Sequence, residues 1–393
     1  MHAWEGAVKG QERRNPCRYK DGLQGWFFKQ PPESQILERN YMASLYFLTK
    51  MKQKLPHNKR RFLFKYHYYR GLYKCIYPPL NIRIEPTNRC NLKCVMCPNG
   101  NLDLNNSNSG FINMDLFNKI ILQARSFPHP TGIFLYLGGE PLMHKDISKL
   151  ITLSKENGLM VALNSNATLL TEKRTFEILE SGLDQITFSF DDVTPSEYEG
   201  MRRNAKYEKT LQNLLFFLEQ KNRLKKESPQ VSIASLRLRT DNLNMNEPLE
   251  ANQEFTSLFS KYPVTIYRDW AHMWAGESYR KMIYTYKRTN TENHLRCMLP
   301  WRDLTINYLG QAVACCYDLS YDYVLGDANN MDLMDIWNSE KMMNLRKICF
   351  SGSYEKINLC SSCSYVFEGL KSDLGGKNEK YWNMIQRKPK TDK

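Results

Sequence analysis

Three cysteines that follow the first apolar run after residue 79 have a spacing that suits one metal cluster. They are Cys90, Cys94 and Cys97, in the run Cys-Asn-Leu-Lys-Cys-Val-Met-Cys. Three thiolates on one short loop can converge on a single iron-sulfur cluster, and three ligands for four irons leave one iron open for chemistry. Structural zinc is the alternative, but zinc normally takes four ligands and no fourth ligand stands nearby. The spacing therefore predicts a reactive iron-sulfur site.

A second group of cysteines lies after residue 290 and predicts another metal site. Its members are Cys297, Cys315, Cys316, Cys360 and Cys363. A zinc ribbon is an alternative here, because four cysteines that end in C-x2-C also satisfy tetrahedral zinc. Cys349 falls at helical spacing with Met342 and Leu345, which predicts a core residue, and Cys17 and Cys75 have no ligand spacing.

Alternating strands and helices are predicted to position the first cysteine group. From residue 80, short apolar runs alternate with amphipathic stretches, as in strand-helix units around a parallel sheet. The predicted strands are 80–85, 132–137, 159–164, 185–190, 231–238 and 264–267. The predicted helices are 115–126, 145–157, one that ends near 182, 207–220 and 249–260. A hairpin (304–308 and 312–316) and a helix over 333–349 follow, which predicts a smaller second domain.

The positive charge is concentrated at the two ends of the chain. The protein has 393 residues and a net charge of +14, which alone would suggest a nucleic-acid or membrane partner. Residues 1–79 hold 16 Lys and Arg against five acids, residues 367–393 hold seven against four, and residues 80–366 are neutral. Charge therefore gives no support for a nucleic-acid-binding active site. It is compatible with an acidic electron donor such as a flavodoxin or ferredoxin, or with peripheral contact to a membrane surface.

Composition and the remaining sequence patterns narrow the class of protein. The length predicts two or three domains, and the 42% hydrophobic content is ordinary for a globular protein. No apolar run reaches membrane-helix length and the N-terminus has no apolar signal region, so we expect a cytoplasmic protein. The stretch 62–70 mixes aromatic and basic residues. That composition can stack on bases, lie on an anionic membrane or pack on the protein's own core, and packing is the favoured interpretation.

The first cysteine group resembles the signature of the radical S-adenosylmethionine (radical SAM) enzymes. Further segments match that family in order. Gly138-Gly139-Glu140 resembles its GGE motif and implies contacts to the methionine amino group. The third strand ends in Asn164-Ser165-Asn166 and the fourth in Ser189-Phe190-Asp191, both at the carboxyl edge where ligands bind in such sheets. Asn164 and Ser189 are the predicted binding residues of these segments. Arg202, with Arg203 as the alternative, resembles the arginine that meets the methionine carboxylate, and Met96 would lie against the adenine.

The resemblance implies a fold and a reaction. The fold would be an α/β partial (β/α)6 barrel. S-adenosylmethionine would chelate the open iron of a 4Fe-4S cluster, and a strongly reducing one-electron donor would cleave it to a 5′-deoxyadenosyl radical that abstracts a substrate hydrogen. The protein would position the substrate and exclude side reactions.

The second cysteine group resembles the start of the SPASM, or shorter twitch, domain. The matching pattern is Cys297-x12-Gly310-x4-Cys315 followed by Cys360-x2-Cys363. No cysteine follows Cys363, so the resemblance implies one auxiliary 4Fe-4S cluster with these four cysteines as ligands. Neighbouring residues of a strand point to opposite faces, so Cys315 and Cys316 cannot both easily face one cluster. The Gly-x4-Cys spacing of the resemblance selects Cys315. The predicted domains are an extension (1–79), a core barrel (80–285), an auxiliary domain (290–366) and a basic tail (367–393).

Several reactions remain open at this level. Oxidation or epimerisation of a small polar substrate such as a sugar or cyclitol is the leading hypothesis, since the single auxiliary site resembles that of a cyclitol-oxidising dehydrogenase. Modification of a peptide or protein is the alternative, and RNA modification is suggested only by the basic extension. A non-catalytic reading is a binding protein stabilised by zinc or a cluster. Asp318 is a candidate proton acceptor during oxidation, with capping of a turn as its other interpretation.

Overall fold

The structure is a computed structural model, and it describes residues 57–101, 109–128, 131–238, 252–271, 296–361 and 363–367. Residues 1–56 of the predicted extension, the tail after 367, Cys17 and the start of the predicted helix 249–260 lie outside the described residues. Among the described residues, no helix is long and apolar enough to cross a membrane.

One nine-stranded sheet organises the described chain, and it confirms the predicted α/β fold with a mostly parallel sheet. Its strands are β1 (Asn81–Ile84), β3 (Gly132–Leu135), β4 (Met160–Ser165), β5 (Gln185–Ser189), β7 (Gln230–Arg237), β8 (Val264–Trp270), β9 (Asp303–Ile306), β10 (Gln311–Val313) and β11 (Val324–Asp327). Their spatial order is β11-β10-β9-β1-β3-β4-β5-β7-β8, and neighbours from β9 to β8 are parallel. Two short strands, β2 (Lys93–Cys94) and β6 (Arg202–Arg203), pair separately.

Amphipathic helices connect the parallel strands. The helices are α1 (His57–Arg70), α2 (Pro98–Asn101), α3 (Met114–Ser126), α4 (Ile147–Glu156), α5 (Glu172–Glu180), α6 (Pro195–Met201), α7 (Tyr207–Arg223) and α8 (Gln253–Leu258). The C-terminal part adds α9 (Leu299–Arg302), α10 (Leu333–Trp337), α11 (Glu340–Ser351), α12 (Asn358–Ser361) and α13 (Ser364–Phe367). Helix α3 begins where the Asn113 side chain accepts the Asp115 N–H, and it buries Phe117, Ile120 and Ile121.

The C-terminal hairpin continues the barrel sheet. Strand β9 pairs in parallel with β1 and antiparallel with β10. The prediction that the second hairpin strand runs to residue 316 is wrong, because β10 ends at Val313 after a register shift and the Asp318 N–H closes a turn onto the Cys315 carbonyl. Cys315 and Cys316 therefore follow the strand, and the alternation of a strand does not decide where their thiols point.

The single helix predicted over 333–349 is two helices, α10 and α11. Asn338 ends the first helix by turning its side chain onto another segment. Its Oδ1 accepts the Cys75 N–H at 2.7 Å, and its amide donates to the Cys75 carbonyl at 3.0 Å. Ser339 then caps α11 by accepting the Met342 N–H. Two polar side chains thus interrupt a stretch whose apolar spacing is continuous.

Helix α1 has one buried and one exposed aromatic face. Tyr68 packs edge-on against Trp301, with ring centroids 5.5 Å apart, and its hydroxyl donates to the Arg296 carbonyl. Phe62, Tyr66 and Tyr69 are 65%, 46% and 63% exposed. The predicted packing on the protein's own core therefore holds for the face with Tyr68 and not for the face with Phe62, Tyr66 and Tyr69.

Candidate functional site

The loop that carries the first three cysteines is fixed at both ends. It leaves β1 at the carboxyl edge of the sheet, and its strand β2 pairs with β6 so that Cys94 lies opposite Arg202. The Val95 N–H donates to the Met201 carbonyl at 2.8 Å, and the Cys97 N–H donates to the Cys94 carbonyl at 3.1 Å. Backbone pairing therefore positions this loop before any ligand binds.

The thiols of Cys90, Cys94 and Cys97 influence one another. Burial raises the pKa of Cys90 to about 12, and the Glu140 carboxylate and the other two thiols act in the same direction. Burial also raises the pKa of Cys94. Thiols in such surroundings stay protonated on their own, so a metal cation is needed to hold them as thiolates. This donor set fits the cluster that the sequence implies.

The Gly138–Glu140 turn lies directly against the cysteine loop. Gly138 donates its N–H to Glu85 Oε1 at 3.0 Å, and Glu140 donates its N–H to the Arg89 carbonyl at 2.8 Å. A Cβ atom on Gly139 would stand 2.2 Å from the Thr87 carbonyl oxygen. Only glycine allows this approach of two backbones, so Gly139 has a structural reason to be in the motif.

The Glu140 carboxylate joins the ends of β3 and β4. Its Oε1 accepts the Leu142 N–H at 3.0 Å and the Ser165 hydroxyl at 2.8 Å, while Oε2 accepts the Asn166 N–H at 2.7 Å. The Asn166 amide in turn points at Cys90, with Nδ2 3.9 Å from Sγ. Asn166 therefore belongs to the cysteine site; the sequence match covers the segment 164–166 at this strand end, but only Asn164 was predicted to bind the cofactor. The signal was available, because Asn166 directly follows the carboxyl end of a parallel strand.

Arg202 forms a buried ion pair beside Cys94. Its Nε and Nη2 donate to the two Asp191 carboxylate oxygens at 2.5 and 2.8 Å, and Asp191 Oδ1 also accepts the Leu236 N–H. Burial alone would lower the pKa of Arg202, but the adjacent Asp191 carboxylate outweighs it and raises the pKa. The observed partner of Arg202 is Asp191, so contact with a methionine carboxylate remains a prediction and would use its other N–H groups.

The other residues predicted to bind S-adenosylmethionine lie at the same edge. Met96 is buried in the cysteine loop, whereas Asn164 and Ser189 are half-buried near the ends of β4 and β5. Parallel pairing of β4 with β5 brings these strand ends together. Their ligand contacts remain predictions.

The four cysteines predicted to hold an auxiliary cluster are also brought together. Burial raises the pKa of Cys315 well above its ordinary value, and the nearby thiols include those of Cys363, Cys297 and Cys360. Burial likewise raises the pKa of Cys363, next to Cys297 and Cys360. These four thiols come from a helix start, a turn after β10 and the C-terminal C-x2-C.

Two further thiols lie beside this group. Cys349, predicted as a core residue, is buried on α11, but its thiol is hydrogen-bonded to those of Cys297 and Cys360. Cys316 has Arg83 as its strongest charged neighbour. Helical spacing identified the burial of Cys349, whereas its contact with two predicted ligands depends on how α11 folds back over residue 297.

Asp318 has the geometry of a turn cap. Its carboxylate oxygens accept the N–H groups of Asp322 at 2.8 Å and Tyr323 at 3.1 Å, and the residue is fully buried. Burial raises the pKa of this carboxyl group. The observed contacts of Asp318 are thus those of a turn cap, and its role as a proton acceptor remains a prediction.

The described part of the chain contains no group of three or more His, Cys, Asp or Glu side chains that surrounds a single metal ion. A mononuclear zinc site would bring four sulfur atoms to about 2.3 Å from one point. A cluster instead takes its thiolates at separate iron atoms.

Comparison with known families gives two matches on this chain. The model of the radical SAM superfamily matches residues 84–223, and the SPASM model, an iron-sulfur cluster-binding domain, matches residues 297–364. The first match spans the cysteine loop, Gly138–Glu140 and Arg202. The second spans the four cysteines predicted to hold the auxiliary cluster. These domains imply 4Fe-4S clusters and S-adenosylmethionine as cofactors.

Curated relatives resemble parts of this chain, and a solved structure shares its fold. A tungsten-containing aldehyde ferredoxin oxidoreductase cofactor-modifying protein of Pyrococcus furiosus is 34% identical over 28% of this chain and 30% of its own length. A GTP 3′,8-cyclase of Clostridium botulinum is 26% identical over 47% of this chain and 54% of its own. The chain thus spans about half or less of these relatives. Streptococcus suis SuiB bound to the precursor peptide SuiA has the same fold, with 13% identity, a TM-score of 0.51 and coverage of 79% and 78%.

Proposed function

Because this chain belongs to the radical SAM superfamily, a superfamily of enzymes, and carries a SPASM iron-sulfur domain, we propose that it oxidises a small polar substrate. When bound, the cluster and S-adenosylmethionine supply a 5′-deoxyadenosyl radical that removes a hydrogen atom. The thiolates of Cys90, Cys94 and Cys97 hold this cluster, and Cys297, Cys315, Cys360 and Cys363 hold an auxiliary 4Fe-4S cluster.

One observation carries the proposal of an oxidation. Strands β1 and β9 are direct neighbours, paired from Asn81 with Asp303 to Ile84 with Ile306. The first cysteine loop follows β1 at the carboxyl end of this strand pair, whereas β10 runs antiparallel to β9, so the auxiliary cysteine Cys315 lies toward the amino end. A substrate held along these two strands would therefore lie between the two predicted clusters. That arrangement suits a reaction in which the substrate loses a hydrogen atom and then an electron.

The chain's own residues prepare the site for such a substrate. The Glu85 carboxylate accepts the N–H groups of Gly138 and Tyr308 and the Tyr321 hydroxyl, the last at 2.6 Å. It thereby ties the GGE turn of the barrel to the hairpin and the segment after the auxiliary cysteines. Fixing these parts relative to one another limits the freedom of the bound substrate.

Deuterium transfer tests the proposed substrate class. The protein with both clusters is incubated anaerobically with S-adenosylmethionine, a strong reductant and deuterated candidate substrates. We expect deuterium in 5′-deoxyadenosine from a labelled sugar or cyclitol, together with a product two electrons more oxidised. Transfer from labelled peptides alone would contradict the proposal and favour peptide modification.

We further propose that an acidic electron donor such as a flavodoxin or ferredoxin docks at the basic N-terminal part. In the described region, exposed Lys65 and Arg70 stand on α1 beside the exposed rings of Tyr66 and Tyr69. Charge reversal of Lys65 and Arg70 to Glu should slow reduction by reduced flavodoxin, most strongly at low salt, because steering depends on opposite charge. Reduction by dithionite serves as the control. An unchanged flavodoxin rate at low salt would contradict donor docking here.

A further inference from the structure

One face of the sheet around β1 is polar. Paired positions of a sheet share a face, and β1 places Asn81 opposite Asp303, and Arg83 opposite both Thr305 and Phe134. The Asn81 amide donates to Asp303 Oδ1 at 2.8 Å, as expected for neighbours on one face. The alternate residues of these strands, among them Ile82, Ile84, Ile133, Leu135 and Leu304, are fully buried apolar side chains. We use the name polar face for the side that carries Asn81 and Arg83.

Asp303, the carboxylate that neighbours Arg83 on the polar face, is already engaged by other donors. Arg302 donates to both Asp303 carboxylate oxygens, at 3.1 and 2.9 Å, and Asn81 occupies one of them as well. Asp303 is therefore already paired. Arg83, which Asp303 also influences, is left as a second cation next to a single carboxylate.

The Arg83 guanidinium is buried with unused donors. Arg83 is only 7% exposed, and among the described residues neither its Nε nor its Nη1 has a hydrogen-bond partner. The hydroxyl of Thr305, its register partner on β9, is likewise buried with no partner in the described part of the chain. The guanidinium carbon lies 5.8 Å from the centroid of the Phe134 ring and 5.1 Å from that of Tyr136. The Tyr136 side chain also hydrogen-bonds the guanidinium, but neither ring carries a charge that would neutralise the cation.

A buried cation with open donors calls for an anion. Burying an uncompensated charge is costly, and native proteins pair such charges or bind ions with them. Guanidinium groups favour carboxylate and phosphate oxygens, because charge-assisted hydrogen bonds to these groups are strong. We propose that Arg83, with Thr305 as a neighbouring donor, binds an oxyanion of the substrate, a carboxylate or a phosphate, at the polar face. This inference rests on the proposed function, since it names the class of substrate for that site.

The location supports a role in substrate selection. Arg83 stands one residue before the end of β1, and Glu85, the residue that follows the strand, holds the GGE turn. On its other side the guanidinium neighbours Cys316, which adjoins Cys315 in the chain. An oxyanion bound here would hold its molecule between the two cysteine groups that the proposed reaction needs.

Anion binding by the protein with both clusters tests the inference without any turnover. Acetate and inorganic phosphate are titrated anaerobically by calorimetry at constant ionic strength, in the absence of S-adenosylmethionine and reductant. We expect saturable binding of at least one anion and a loss of roughly tenfold to hundredfold in affinity in Arg83→Met, the effect of removing one hydrogen bond to a charged group. Tighter binding of acetate would indicate a substrate carboxylate, and tighter binding of phosphate a phosphate group.

Matched variants keep the test decisive. Arg174→Met removes an arginine that is paired with Glu177 on helix α5 and should leave affinity unchanged. Arg83→Lys should retain part of the affinity, and Thr305→Val should weaken it; these two variants carry the test if Arg83→Met does not fold. Equal affinity in all variants, or no saturable binding of either anion, would overturn the inference. Because no radical chemistry is involved, either result is separate from failure to form 5′-deoxyadenosine.

Discussion

Replacing Arg202 with methionine should destabilise the protein far more than loss of a surface ion pair. The Asp191 side chain is fully buried, the Arg202 side chain is 7% exposed, and two hydrogen bonds join them. Removing one partner of a buried pair costs about 3–5 kcal/mol, because the other charge is left uncompensated. Asp191 keeps the Leu236 N–H at 2.9 Å, so we expect about 3 kcal/mol, the lower end of that range.

Anaerobic equilibrium denaturation of the cluster-loaded protein measures this loss. Lys206→Met is the control, because Lys206 is 77% exposed and its pair with Glu199 should contribute less than about 1 kcal/mol. Adding Asp191→Asn to Arg202→Met should recover part of the loss by removing the stranded charge. An Arg202→Met protein within about 1 kcal/mol of the control would refute the reasoning. So would a double variant whose loss equals the sum of the two single losses.

Three further variants test other parts of the structure. Burial, and to a smaller extent the positive charge of Arg346, lowers the pKa of His67 to about 4, so the free energy of unfolding should fall as the pH drops from about 6.5 to 4. His67→Phe should remove about 2 kcal/mol of the change in unfolding free energy between pH 7 and 5. A variant with the same pH profile as the wild-type protein would contradict this. Cys315→Ala should lower bound iron from about eight to about four per chain, as measured by iron assay and EPR spectroscopy, whereas zinc at this site would contradict the auxiliary cluster. Asp318→Asn should lower the free energy of unfolding by about 1–2 kcal/mol, since an amide oxygen replaces only one of two acceptors for backbone N–H groups; loss of product alone, with stability and S-adenosylmethionine cleavage unchanged, would assign Asp318 proton acceptance instead.

Local patterns of the sequence predict the parallel strands well. The observed β5 and β7 lie within one residue of the predicted ranges, because buried parallel strands are short apolar runs bounded by polar turns. The break at Asn338 was not predictable in this way. It depends on the side chain meeting Cys75, which is 263 residues away in the chain.

The spacing of cysteines predicts which thiols belong together better than it predicts their surroundings. Cys90, Cys94 and Cys97 share one loop, so their proximity follows from the sequence alone. The contact of Cys349 with Cys297 joins segments about 50 residues apart, and the pairing of Arg202 with Asp191 depends on where a loop returns to the sheet. Likewise, the sequence shows Arg83 only as one basic residue in an apolar run, and its open donors are apparent only from the contacts of Arg83 and Asp303 in the described part of the fold.

Formation of 5′-deoxyadenosine by the cluster-loaded protein is the most direct test of the proposed radical chemistry. The protein is incubated anaerobically with S-adenosylmethionine and dithionite, and the nucleoside is quantified by liquid chromatography and mass spectrometry. We expect 5′-deoxyadenosine from the wild-type protein and none above background from Cys94→Ala, which lacks one of the three thiolates of the reactive cluster. Absence of the nucleoside from wild-type protein that contains its clusters, or equal formation by Cys94→Ala, would contradict the proposal.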